Sequence, residues 1–591
     1  MYPLYSFFVR AKAQEKKKER SIKVKKFLAL VLSLMMCLSL FAACGKSGDN
    51  ATDTQGSENN TQGETTGTET AEQHFRTFIS AEPSTLDVSR RSDSYSSSIL
   101  VNTVESLVRC ELRDGEYVTC PGDAESWEVD ETGTVWTFHL NENAKWEDGE
   151  PVTADQYVYS LRRSSAPETG CPNAFFLQPI KNFSKVNSGE LAVEELGVEA
   201  KDEHTLVITL ENALPAYLDM LSSTIYYAQR EDIVEKYGDK YGADAETFIS
   251  NGPFKVESWT HNNSIVLTKN ENYWDADSVK LEKVTFSIMS DENTYYNAFE
   301  TGELDYVSTG SAEWLDRFQK NSDNVLIQYP GATLSYAFYN CNDALFQNAN
   351  IRKAFTLAID RDEINEMCFS GLRTPTYGWV VPSMSVGDQN FREVVGDPIK
   401  EMQEDLKAEN KTAKDLLLQG MQELNLGDDP STLKVTFSLA GTSDWYRTLG
   451  DFLQQTYLAE LGVQIDISFA EWGIFYDNVE KGNYQIGFMG WGAYYNDPYD
   501  TLSLFVSSTN AIQTNWSSEK YDELIAAGSI ELDAEKRLEI YAEAEELLLK
   551  EECVVSPFAT NNYNLFVKSY VKNYPEGTFS NEGLKYVEIV K

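Results

Sequence analysis

Chemistry at neutral pH calls for a short list of side chains, and this chain is poor in the first of them. It holds four histidines, His74, His139, His204 and His261, and no two are spaced as metal ligands. HExxH, the GxSxG elbow and the phosphate-cradling P-loop are all absent from the sequence. Carboxylates are abundant, 93 among 591 residues, so any chosen pair is uninformative as a glycosidase couple. The stretch that stands apart is GWGAYYNDPYD, Gly490 to Asp500, with one Trp, three Tyr, two Asp and a Pro in eleven positions. Whether such a stretch touches the protein's own core, a metal or a visiting molecule is left open by these residues alone. No catalytic residue, metal ligand or cofactor site is assigned.

The elements that must position this stretch belong to a large body. The length exceeds what one core fills, which predicts at least two lobes. Strand-like and helix-like segments alternate from Phe75 onward. TVWTFHL puts Trp136, Phe138 and Leu140 on one face at period two, and HTLVITL and NSIVLTKN read alike. In NIRKAFTLAIDRDEINEM a helical stripe runs through Ile351, Phe355, Ala358 and Ile359. In EKRLEIYAEAEELLLKE it runs through Leu538, Tyr541, Ala542, Leu548 and Leu549. The mixture predicts an α/β protein.

The N-terminus predicts export. Residues 10–26 carry nine Lys or Arg against two Glu, and FLALVLSLMMCLSLFAA, Phe27 to Ala43, follows with no charge. A transmembrane helix is the alternative, but seventeen apolar residues is the lower limit for spanning. From Gly45 to Gln73 there is no Leu, Ile, Val or aromatic residue, so nothing offsets the entropy of ordering the segment. It reads as a tether with an end-to-end distance of roughly 30 Å. Loss of residues 1–43 leaves 41 basic and 91 acidic residues, a net charge of −50, which excludes nucleic acid as a partner. Six cysteines remain beyond Cys44. Cys110 and Cys120, flanking a turn at Asp114-Gly115, are the pair expected first as a disulfide.

Two resemblances follow from these residues. LFAACG resembles the lipobox of bacterial lipoproteins, with Phe41 where an aliphatic residue is usual, and this implies lipidation of Cys44. Seven segments in order resemble the solute-binding proteins of oligopeptide and dipeptide ABC transporters. They are AEPSTLDVSRRSD (81–93), WTFHLNENAKWEDGEPVTADQYVYSLRR (136–163), ISNGPFKVESW (249–259), IVLTKNENYWD (265–275), AFETGELDYV (298–307), IRKAFTLAIDRDEI (351–364) and GNYQIGFMGWGAYYNDP (482–498). Most of these residues read as scaffold. Asp148-Gly149 makes a turn, Thr153 caps a helix, and Gly252-Pro253 set a sharp entry into a strand.

The resemblance implies an α/β, periplasmic-binding-protein-like type II clamshell of two lobes and three subdomains, closing on ligand by a hinge. The expected division is signal 1–43, tether 44–74, lobe 1 in three parts (75–108, 241–332 and 561–591), an extra subdomain 109–240, and lobe 2 at 333–560. The partners implied are an oligopeptide, a membrane permease with cytoplasmic ATPases, and the outer face of the membrane through the lipid on Cys44, with the protein itself a monomer. The cleft residues implied are Trp491, Gly492, Ala493, Tyr494, Tyr495, Asn496 and Asp497, faced by Ser92 and Asp93. Peptide binders of this family read W-x-A-D-Y-N-[DE]-P here, and the Asp holds the ligand's α-ammonium. This chain has Tyr494 at that position. A phenol accepts a hydrogen bond but does not neutralise a cation. Three readings stay open: Asp497 or Asp93 supplies the charge, the ligand's N-terminus is not anchored here, or the ligand is an oligosaccharide. A secreted carboxylate hydrolase is the rival from another class.

Overall fold

A computed structural model describes residues 72–590 apart from 114–115, 442, 509–510 and 581–582. The export signal, Cys44 and nearly all of the tether lie outside the described residues. Strand β1 (His74–Ile79) opens the body, with Phe75, Thr77 and Ile79 facing inward. It begins inside the span expected as tether. Gln73 exchanges side-chain hydrogen bonds with the backbone of Ile589, and His74 Nε2 reaches Thr285 Oγ1, so these polar residues have partners on the body.

Strands β2 (Val108–Arg113) and β3 (Glu116–Pro121) form a hairpin. Cys110 sits opposite Thr119, and Arg109 opposite Cys120. Adjacent strand positions point to opposite faces, so the two sulfurs lie on opposite sides of the ribbon. The disulfide expected between Cys110 and Cys120 is not formed.

Strands β4 (Ala124–Val129), β5 (Val135–Leu140), β6 (Val198–Asp202) and β7 (Thr205–Thr209) build a sheet in the order β4-β5-β7-β6. Trp136, Phe138 and Leu140 are buried as their spacing requires. The helix Ala154–Ser165 covers this sheet. The side chain of Gln156 reaches back to the Thr153 N–H at 3.0 Å, closing the start of the helix. Gly149 takes φ +91°, which the Asp-Gly turn needs. Strands β8 (Phe254–Thr260), β9 (Ser264–Lys269) and β10 (Lys283–Ile288) join β1 in the order β1-β10-β9-β8. At Gly252 the backbone lies so close to Thr103 that a Cβ would meet its carbonyl carbon at 2.8 Å.

The rest of the chain builds a larger sheet. It begins with β11 (Tyr306–Ser308), the sixteen-residue β12 (Asn324–Tyr339) and β13 (Thr374–Pro375). A short hairpin, β14 (Ser385–Val386) and β15 (Gln389–Asn390), stands apart. Next come β16 (Val435–Leu439), β17 (Ile465–Phe469), β18 (Ile486–Gly492) and β19 (Val555–Lys568), giving the order β11-β19-β12-β18-β16-β17 with β13 against β19. β20 (Val571–Lys572) and β21 (Glu588–Ile589) finish the chain. β16, β17 and β18 run parallel, so their C-terminal ends meet at one edge.

The stripe Ile351, Phe355, Ala358 and Ile359 is buried, but its sequence forms two helices, Ala349–Leu357 and Arg361–Phe369. Asp360 divides them because its carboxylate accepts from the amides of Asp362 and Glu363. The second stripe lies on the helix Ala534–Glu546, which widens into a π turn over Leu547–Glu551. Leu538, Tyr541, Leu548 and Leu549 are buried, while Ala542 is half-buried.

β12 and β19 tie two cores together. Near one end Ile327, Leu565 and Val567 pack with β1, β9 and β10 in lobe 1. Near the other, Leu334, Tyr336, Phe338 and Val555 pack in lobe 2. Between them the register breaks: Pro330 pairs with Asn562 and Leu334 with Thr560, so residues 331–333 face Asn561 alone. Asn561 Oδ1 accepts from the Thr333 N–H at 2.9 Å. Its amide fills the space beside Gly331 where a Cβ would stand. Gly331→Ala is expected to cost about 1–3 kcal/mol through this overlap. In denaturant melts, adding Asn561→Ala should bring the variant close to Asn561→Ala alone, a non-additivity that marks direct contact. Simple additivity would place the strain elsewhere.

Candidate functional site

The parallel edge of lobe 2 delivers the aromatic stretch. In open α/β sheets, loops at the carboxyl ends of the strands form the ligand crevice. Trp491 is the penultimate residue of β18, opposite Leu334, and the chain then turns through Ala493 to Asp497 into the short helix Pro498–Leu502. Asp497 caps that helix by accepting from the Tyr499 N–H at 2.8 Å. Its other oxygen takes a charge-assisted hydrogen bond from Arg537 Nη2, on the helix Ala534–Glu546. Both partners are buried, and the guanidinium also lies over the Tyr541 ring at 5.4 Å. Burial pushes the Asp497 carboxyl above its ordinary range, and Arg537 opposes that push. Asn496 Oδ1 accepts from the Ser385 N–H at 2.9 Å. Behind it, Glu545 takes the amides of Trp379 and Val380, and Trp379 Nε1 donates to the Thr501 carbonyl. The loop is therefore fixed from behind by three separate polar ties.

Its front meets lobe 1. Tyr494 is 55% exposed, and its ring stands edge-on to Phe176 at 4.8 Å, to Trp491 at 6.2 Å and to Phe175 at 6.5 Å. Tyr495 is buried in the same core that holds Trp136, Tyr217, Met220 and Ile225. Tyr499 touches both this core and that of lobe 2. Phe175 and Phe176 had no signal in the sequence, since a Phe pair in a polar segment reads as local packing. Trp491 is half-buried, and its Nε1 has no hydrogen-bond partner although it is shut away from water. Gly492 and Ala493 carry backbone into the turn, with Ala493 N–H bonded to the Ala332 carbonyl at 3.0 Å.

Ser92 and Asp93 stand at the start of the helix Ser94–Thr103. Ser92 is exposed. Asp93 accepts from the amides of Ser96 and Ser84 at 2.7 and 3.1 Å and from the hydroxyls of both. Burial raises this carboxyl, but the donors outweigh it and the pKa falls below its ordinary value. The segment lies on the Phe175 flank, because Asn173 Nδ2 donates to the Arg91 carbonyl at 3.0 Å. No hydrogen bond or ion pair joins Asp93 to the loop 491–497 among the described residues.

Carboxylates crowd the lobe contact. Asp500 accepts from the Tyr494 N–H at 3.0 Å; burial pushes its carboxyl up to about 8, with the charge of Asp497 adding to the rise. Asp219, on the short helix Tyr217–Met220 of lobe 1, is pushed up to about 7, first by burial and then by Asp497 across the contact. Arg537 is the cation that both Asp497 and Asp219 sense.

Residues 120–513 match the family model described as bacterial extracellular solute-binding proteins, family 5 Middle. The dipeptide-binding protein DppE of Bacillus subtilis is 34% identical over 487 residues, covering 82% of this chain and 86% of its own. The periplasmic oligopeptide-binding protein OppA of Salmonella typhimurium is 32% identical over 466 residues, covering 78% and 83%. Among solved structures, the substrate-binding domain of an oligopeptide ABC transporter from Bacillus anthracis superposes with a TM-score of 0.69 at 29% identity, covering 88% of this chain and 99% of that one. Haemophilus influenzae OppA in complex with RPPGFSPFR gives 0.69 at 26% identity, covering 88% and 100%. The fold is the type II periplasmic-binding-protein clamshell, as the sequence resemblance implied.

The raised carboxyls predict the sign of a pH effect. Groups held above their unfolded pKa contribute most when protonated, and the contribution is lost as pH rises through the folded value. For Asp219 and Asp500 the loss begins above the ordinary value of 3.8 and is complete once pH has passed about 7 and about 8. The melting temperature should therefore fall from about pH 4 to about pH 8 and level off above. The double variant Asp219→Asn, Asp500→Asn should flatten the fall, and a profile unchanged by the double variant would locate the titrating groups elsewhere. Arg537→Met strands the buried Asp497 carboxylate and should cost about 3–5 kcal/mol in denaturant melts.

Proposed function

We propose that this chain, which belongs to the bacterial extracellular solute-binding proteins, family 5, captures oligopeptides between its lobes and delivers them to a membrane permease. One observation carries the reading. The loop 491–499 is fixed rigidly from behind on lobe 2, while its exposed Tyr494 ring faces Phe175 and Phe176 across the lobe boundary. The two halves are joined by strands whose register breaks between them. That is a receptor's layout: a preformed aromatic wall on each side and a joint between. The family is extracytoplasmic, and its named relatives bind dipeptides and oligopeptides. The lipid on Cys44 and a tether running up to Gln73 complete the proposal. They would hold the body at the outer face of the membrane, near a permease driven by cytoplasmic ATPases, as a monomer. No helix among the described residues is long and apolar enough to cross a membrane.

The loop's charges favour one of the three readings of Tyr494. Asp497 is committed to Arg537, and Asp93 to its own helix start. Neither carboxylate is left over for an ammonium at the Tyr494 position. This supports peptides whose N-terminus is not anchored there, with Trp491 and Tyr494 supplying faces instead of charge. The same uncharged aromatic wall keeps an oligosaccharide ligand as the second reading.

A thermal-shift screen separates them. Free-acid peptide mixtures should raise the melting temperature, and cello- and xylo-oligosaccharides should not. The reverse result would make the sugar reading correct. Peptide recovered unchanged after hours with the protein excludes a hydrolase. Tyr494→Asp should bind free-amine peptides and their N-acetylated forms equally, because the ligand's N-terminus is anchored elsewhere. A preference of roughly tenfold or more for the free amines in that variant, the size of a charge-assisted hydrogen bond, would place the N-terminus at Tyr494 and overturn this reading.

A further inference from the structure

Three carboxylates and one guanidinium gather where the loop after β18 touches the core built on β4 to β7. Asp497, Asp500 and Arg537 stand on one side of the contact, and Asp219, on the helix Tyr217–Met220, stands on the other. Apolar packing fixes the approach. Tyr495 is 8% exposed and shares a core with Tyr217 and Met220, which bracket Asp219 along the chain. Leu218 and Tyr499 pack against the same core. Asp497 follows in a tight turn, its N–H donating to the Tyr495 carbonyl at 2.9 Å. A second contact involves Leu532, which precedes the helix that carries Arg537. A Cβ on Gly133 would stand 3.8 Å from Leu532 and 3.0 Å from Ala213. Seating Tyr495 therefore brings Asp219 up to buried acids, whether or not the charges suit.

The charges do not suit. Arg537 donates to Asp497, and Asp500 accepts from the Tyr494 N–H. No hydrogen bond or ion pair reaches the Asp219 carboxylate among the described residues, although its backbone carbonyl accepts from Ser222 Oγ at 2.7 Å. Burial first, and then the charge of Asp497, push the Asp219 carboxyl up to about 7 against the pull of Arg537. The other titratable groups facing the contact are the phenols of Tyr217, Tyr226, Tyr495, Tyr499 and Tyr541. Burial holds all five above the ordinary phenol value, so they stay neutral where Asp219 titrates. Arg537 keeps its charge throughout. Asp497, Asp500 and Arg537 sit together on one side, so Asp219 is the acid that parts from the rest when the contact opens. In water its carboxyl returns toward the ordinary value of 3.8.

We propose that this contact is a proton-set latch: protonation of Asp219 lets Tyr495 seat, so the receptor grips its ligand more tightly in acid surroundings and releases it more readily in alkaline ones. The inference rests on the reading above, in which closure holds a peptide between the lobes. Its sign follows from linkage. A group held higher in the closed form than in the open one favours closure fully below the open value, and that favour is lost as pH rises through the closed value. For Asp219 the loss runs from about pH 4 to about pH 7.

Calorimetry on the full chain with a random tri- to pentapeptide library, from pH 5 to pH 9, tests it. Wild type is compared with Asp219→Asn at each pH, so any titration of the peptides themselves cancels. The variant is isosteric and removes no side-chain hydrogen bond, and it should bind more tightly than wild type. Its advantage should grow by roughly 10- to 100-fold from pH 5 to pH 8 and no further to pH 9, as one linked proton requires. An affinity ratio that does not change with pH overturns the latch and leaves the peptide reading standing. If the library binds neither protein at any pH, the peptide reading fails, and small-angle scattering from the unliganded chain decides the latch alone. Wild type more extended than Asp219→Asn at pH 8 and equal to it at pH 4 supports the latch; coincident profiles at both overturn it.

Discussion

A carboxylate taken out of water must find a cation, and at the lobe boundary Asp497 finds Arg537. The aromatic wall depends on this pair. Asp497 closes the turn that follows β18, caps the helix Pro498–Leu502, and anchors both to the helix Ala534–Glu546. Tyr494, Tyr495 and Tyr499 take their directions from that turn. Without the cation, a buried charge would have to reach water by unravelling the segment that carries the three rings. The pair contributes less to net stability than its short distance implies, since both ions lose their hydration. Its value lies in fixing one geometry.

The same pair bears on what stands at Tyr494. An additional aspartate at position 494 would face Asp500 and Asp497 with Arg537 already engaged. Asp500 and Asp219 already hold protons more tightly than ordinary carboxyls, first because they are buried and then because the charge of Asp497 lies near them. The phenol adds area without adding charge.

Much of this was legible in the sequence. Period-two runs placed β5, β7 and β9, and apolar stripes located the helical cores, because burial on one face dictates spacing. The Thr153 cap and the Asp148-Gly149 turn are local chemistry and could be read directly. What could not be read was pairing at a distance. Asp497 looked available because nothing in the sequence links it to Arg537, forty residues on. Phe175, Phe176 and Asp219 sit in segments with no periodic signal and become part of the site when the lobes meet. Cys110 and Cys120 looked like partners by spacing along the chain, whereas the faces of the ribbon set them apart. Asp360 turned one stripe into two helices, since a single cap interrupts hydrogen bonding without disturbing which residues are apolar.

The junction between the lobes consists of β12 and β19, lying side by side and hydrogen-bonded on both flanks of Asn561. A two-stranded ribbon resists stretching and in-plane sliding, because each would break many ladder bonds at once. It yields readily to torsion at the one place where three residues answer to a single partner. Such a joint would confine relative movement of the halves to few degrees of freedom, so that closure would bring the same two faces together each time.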